Sequence, residues 1–191
     1  MMNTDLKSAT GHFVWRRSRY LMVSALAGFL AIMAGAADAM SAAEAEARVK
    51  VSFIKPEQFA TTLRDHESPE RRDAVLAELG KYVQQAAAPR LPPGQSLQID
   101  VLDLKRAGSP ARNAGGATGN MRVIRETDPP RIDLGFRVLD ASGAIVRMEK
   151  KRRLRDMNYL SHGDHSNSDP LRYEKRLLDD WIDRDFPVPT N

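Results

Sequence analysis

From residue 49 onward the apolar side chains recur at two spacings, and these divide the chain into elements. In RVKVSFI, Val49, Val51 and Phe53 alternate with polar neighbours, the period of a half-buried strand. Ser68-Pro69 then opens a helix, with serine placed to cap it and proline in its first turn. Val75, Leu79, Tyr82, Val83 and Ala86 follow as one apolar stripe at helical spacing, and PRLPPG ends the helix. SLQIDVLDL restores alternation through Leu97, Ile99 and Val101. Residues 106–120, RAGSPARNAGGATGN, have no period and read as a mobile loop. MRVIRE predicts a short strand. RIDLGFRVLD predicts a longer one with Ile132, Leu134, Phe136 and Val138 inward. ASG turns the chain, and AIVRMEKKRRL returns as the second arm of a hairpin.

The last element is a helix opened by Ser168 or Asp169, with Pro170 in its first turn. Leu171, Tyr173, Leu177, Leu178, Trp181, Ile182 and Phe186 cover more than half of its circumference, the pattern of a helix pressed onto a sheet. The order β-α-β-β-β-β-α predicts an α+β fold. Its expected form is a single antiparallel sheet of four to five strands with two helices packed on one face.

At 191 residues the chain has room for one ordinary domain. Its first 39 residues are expected to stand outside that domain. Arg16, Arg17 and Arg19 precede the weakly polar run YLMVSALAGFLAIMAGAA, which closes on Ala37-Asp38-Ala39. A basic start, an apolar middle and a small-residue site make a secretory leader, which places the mature protein in the periplasm. The alternative is an uncleaved inner-membrane anchor, since residues 21–37 come near the shortest length that spans a bilayer. Residues 40–47, MSAAEAEA, read as a flexible linker, 48–186 as one domain and 187–191 as a tail. The chain has no cysteine, so neither disulfides nor cysteine-linked lipid contribute, and the core must hold by burial alone.

Charge changes the picture only locally. The leader's Lys7, Arg16, Arg17 and Arg19 against Asp5 and Asp38 supply +2 of the net +4, leaving about +2 for the rest. That balance argues against nucleic acid as a partner. RMEKKRRLR, 147–155, concentrates Arg147, Lys150, Lys151, Arg152, Arg153 and Arg155 around one acid. This run is the candidate surface for an envelope protein or an anionic envelope component. In strand geometry Arg147, Lys151, Arg153 and Arg155 share one face, and Lys150 and Arg152 the other. A charged rim that resists aggregation has the same sequence signature.

The remaining candidates lie in 156–186. His162 and His165, with Asp164 and Asp169 beside them, have the ligand chemistry of a divalent metal site, and a metal-dependent hydrolase would be centred there. A solvent-exposed linker is the competing reading of the same loop. Glu174 falls within the apolar arc of the last helix, so its carboxyl must be paired, accept N–H bonds or be protonated. The expected partner is an arginine of 152–155 or the backbone of DMNYL. Asp156, Asn158, Tyr159, Tyr173, Glu174 and Trp181 would then form a structural clasp fastening the helix to the sheet. Nucleophilic serine or cysteine chemistry has no motif here: there is no Gly-x-Ser-x-Gly and no cysteine. No catalytic residue and no cofactor are expected.

DMNYL followed by DPLRYEKRLLDDWI, together with VSFIKPEQF, LPPGQSLQIDVLDLKRAG and PRIDLGFRVLDASG, resembles a bacterial family known as domain of unknown function 3016. The resemblance spans 49–186, and SHGDHSNS falls outside it. It implies a compact secreted domain and carries no assigned activity. The functional expectation is a non-enzymatic binding or accessory module of the cell envelope, with the hydrolase as the alternative.

Overall fold

The structure, a computed structural model, describes residues 41–111, 122–161 and 167–188. The leader, residues 112–120 of the glycine-rich loop, and His162, Asp164 and His165 lie outside the described residues.

The architecture is α+β, but the sheet is mixed rather than purely antiparallel. Four strands, β1 (Val49–Phe53), β2 (Ser96–Lys105), β5 (Arg131–Leu139) and β6 (Ile145–Arg155), lie in the order β1-β2-β5-β6. β1 runs parallel to β2, with Val49 opposite Leu97 and Phe53 opposite Val101. The reason is the connection between them. A strand that leaves through a long helix and pairs with its own successor returns as a crossover, and that leaves the two strands parallel. β2–β5 and β5–β6 are antiparallel. The strand predicted from MRVIRE is β4 (Arg122–Val123), but it pairs with β3 (Ser109–Pro110) in a separate two-stranded ladder.

The described residues hold four α-helices rather than two: α1 (Ala42–Arg48), α2 (Ala60–Asp65), α3 (Pro69–Ala87) and α4 (Arg172–Asp185). The stretch read as a linker is α1. Ser41 and Glu44 close a reciprocal capping box at its start, and Ala45 is buried against the core. Its alanine-rich composition suits a helix as well as a linker, and the box decides between them. α3 begins where Ser68-Pro69 predicted and buries Leu76, Leu79 and Val83. α4 begins at Arg172, two residues beyond Pro170, and Asp169 instead accepts the Leu171 N–H at 2.7 Å in the turn before it.

One core joins these layers. Leu97, Ile99, Val101, Leu104, Ile132, Leu134, Phe136 and Val138 point from the sheet toward Leu79, Val83, Leu177, Leu178, Trp181 and Ile182 of the long helices. The opposite sheet face is wet and ion-paired: Arg137 meets Asp100 at 3.0 Å, Arg131 meets Asp103, and Arg153 grips Asp133 through two 2.8 Å bonds.

Candidate functional site

Two places gather the residues singled out by sequence, and they differ in kind. The first is closed. Glu174 is 1 % exposed, and its Oε1 accepts the Ala107 N–H at 2.6 Å. The partner is therefore neither an arginine of 152–155 nor the DMNYL backbone, but the chain just beyond β2. That makes the start of the supposed mobile loop a buried wall: Arg106, Ala107 and Gly108 are all inside. Arg122 holds the wall from the other side, donating to the Ala107 and Gly108 carbonyls at 2.9 Å each and to Asp65 at 2.7 Å. Gly108 is required there. Its φ is +67°, and a Cβ would stand 2.3 Å from the Val123 carbonyl oxygen.

Tyr159 of DMNYL stacks edge-on against Tyr173, 4.8 Å between centroids, and donates its hydroxyl to the Arg125 carbonyl at 2.6 Å. Asp156 closes the turn on the Asn158 N–H at 2.8 Å, and Asn158 is exposed. Trp181 is fully buried between Phe136 and Phe186 at 5.7 and 5.6 Å.

Burial holds the Glu174 carboxyl above its ordinary range, against the opposing pull of the Ala107 N–H and of the Arg106 and Arg122 charges. Its Oε2 and the neighbouring Arg106 Nε are buried without hydrogen-bond partners. Arg106 otherwise pairs with Glu67 at 3.3 Å. A carboxyl enclosed this way fastens α4 to the end of β2.

The second place is open. β6 forms a rim of the sheet, with α4 packed behind it. The expected split of its charges, four on one face and two on the other, does not survive a bulge: Leu134 pairs with Arg152 and Phe136 with Glu149, so Gly135 faces two residues. A Cβ on Gly135 would lie 2.6 Å from the Lys150 carbonyl oxygen, which is why glycine stands there. Arg147, Glu149 and Arg152 consequently fall on the core side, and Arg153 and Arg155 on the wet side.

The core-side arginines are committed. Arg147 and Arg152 both grip Asp185 at the end of α4, and Arg152 also holds Glu149 at 2.6 Å. Arg147 further lies over the Phe136 and Phe186 rings at 5.1 and 5.4 Å. On the wet side Arg153 is held by Asp133, with Lys151 at 3.9 Å from the same carboxylate. That carboxylate is held below its usual range by the Arg153 hydrogen bonds. Lys150 and Arg155 remain exposed. Where the C-terminal end of β6 meets α4, a groove of about 510 Å³ is lined by Arg152–Met157, Leu177, Asp180 and Arg184. Arg155 and Arg184 meet no carboxylate at ion-pair distance among the described residues.

Of the metal candidates only Asp169 is described, and both its oxygens are engaged, by the Leu171 N–H and by Lys175 Nζ at 2.6 Å. Among the described residues no three potential ligands converge. Sequence reasoning missed the α3–α4 polar seam. Tyr82 donates to Asp179 at 2.7 Å, Lys175 reaches Glu78 at 2.6 Å, and just beyond the end of α3 Arg90 meets Asp183 at 2.6 Å. Spacing within one helix does not show which neighbouring helix its polar face will meet.

No curated protein matches the chain. A family model described as protein of unknown function (DUF3016) matches residues 47–184, from the end of α1 to the last turn of α4, and the chain belongs to that family.

Proposed function

We propose that this chain is an exported, non-enzymatic binding module of the cell envelope, and that it holds its partner at the β6 rim. The observation that supports this is the groove between β6 and α4. It combines an apolar floor, Leu154 and Leu177, with two arginines, Arg155 and Arg184, that meet no carboxylate at ion-pair distance among the described residues. Cations left unpaired beside apolar surface suit an anionic group carried on an apolar or polypeptide scaffold. The basic leader and the Ala37-Asp38-Ala39 site support export.

The test is photocrosslinking in the producing cells, with the reactive residue placed at Arg155 or, as a control, at the exposed Lys81 on α3. A discrete adduct from position 155 that disappears with Arg184→Glu is expected. Equal labelling from both positions would overturn the assignment of this surface. Fractionation with N-terminal sequencing should find the protein in the periplasm, starting at Met40. One tightly held equivalent of zinc per chain in the purified protein would overturn the non-enzymatic reading.

A further inference from the structure

The nature of the partner can be argued from the rim itself, and the inference rests on the reading just given. The two rims of the sheet are unequal. β1 has only five residues, and its Val49 carbonyl already accepts from Gln84 Nε2 of α3 at 3.2 Å. β6 has eleven residues and, among the described residues, only β5 beside it. In an antiparallel pair alternate residues turn their N–H and C=O groups away from the neighbouring strand. On β6 these groups find no further strand among the described residues.

Three features decide what can lie there. Six cations against one acid along Arg147–Arg155 make a second copy of β6 a poor neighbour, since like charges would face each other across the new ladder. A bilayer surface is a poor fit as well. Arg147 and Arg152 are already held by Asp185 and Arg153 by Asp133, so few cations of the run are left for lipid headgroups. Asp180 in the α4 wall of the groove disfavours a continuous polyanion. An alternating segment meets all three conditions. Laid beside β6, it sends every second side chain over Leu154 and Leu177, and the others toward Lys150 and Arg155.

We propose that the open rim of β6 accepts an extended acidic polypeptide segment as a further strand of the main sheet, with apolar side chains seated in the groove on Leu154 and Leu177 and carboxylates against Lys150 and Arg155.

A labelled peptide of about ten residues alternating Asp and Val, close to β6 in length, is titrated with the full chain by fluorescence anisotropy. It is expected to bind, and amide hydrogen exchange along β6 should slow. A peptide of the same sequence N-methylated on alternate backbone amides keeps every charge but cannot form the ladder, and should bind at least about tenfold more weakly. Lys150→Glu combined with Arg155→Glu should weaken the parent peptide by a similar factor while leaving Trp181 fluorescence unchanged. Equal binding of the N-methylated peptide would overturn strand addition. So would binding to phosphatidylglycerol vesicles without binding to the peptide, although that result would leave an anion-binding role at the rim standing. Failure of both probes together with loss of the position-155 crosslink would overturn the rim as a binding surface altogether.

Discussion

Glu174 shows how far a single residue can be read from sequence. Its place in the apolar arc of α4 limited it to pairing, accepting or protonation. The structure shows the second, with one oxygen on the Ala107 N–H and the other unpartnered, and burial pushes the carboxyl's pKa up. The partner was not legible, because Ala107 lies 67 positions away in a stretch without periodicity. A carboxyl whose folded pKa exceeds its unfolded value near 4.5 gives stability that is complete below that value and lost as pH climbs through the folded one. Urea midpoints should therefore fall between about pH 5 and the folded value in the native protein. Glu174→Gln keeps the acceptor for Ala107 and removes the titration, so its midpoints should lack this component; parallel slopes in the two proteins would show that Glu174 is ionised throughout. Glu174→Ala leaves a buried N–H without an acceptor and should cost about 1–3 kcal/mol.

Among the elements, the alternation of β2 and β5 and the stripe of α3 were plain because burial on one face imposes a period. What the pattern did not show was each element's neighbour. α1 was hidden by composition that suits linker and helix alike, and β1 was taken as antiparallel although the helix between it and β2 favours a crossover. The charge run of β6 changed faces because one bulge breaks strict alternation, and Gly135 within RIDLGFRVLD was the available sign of it. Gly135→Ala should push the Lys150 carbonyl outward at a cost of about 1–3 kcal/mol, and β6 amides should exchange faster than those of β2. An unchanged exchange pattern would mean that the bulge relaxes freely. Asp185 tests the other side of the same strand. It is almost buried beneath Arg147 and Arg152, so Asp185→Ala should cost about 1–2 kcal/mol, and the loss should shrink in high salt.

For the molecule as a whole, the single core sets the expectation. Helices α1, α3 and α4 share one apolar cluster with all four strands of the main sheet, and no disulfide supports any part of it separately. Such a domain should unfold in one cooperative step. In a Trp15→Phe chain the only remaining indole is Trp181, which is fully buried, so its emission reports on the α4–sheet seam alone. Its denaturation curve should coincide with the helical circular dichroism signal, and Leu178→Ala should shift both together by about 2–5 kcal/mol. An indole that becomes exposed while helix remains would show that α4 detaches before the rest. The same reporter separates binding from opening. A partner strand on β6 would add to a rim already outside the core, and the wet sheet face is closed by its own ion pairs, so neither surface needs the helices to move. Saturating peptide should therefore leave Trp181 emission where it was, whereas a red shift on binding would mean that the partner enters by displacing α4 and not by extending the sheet.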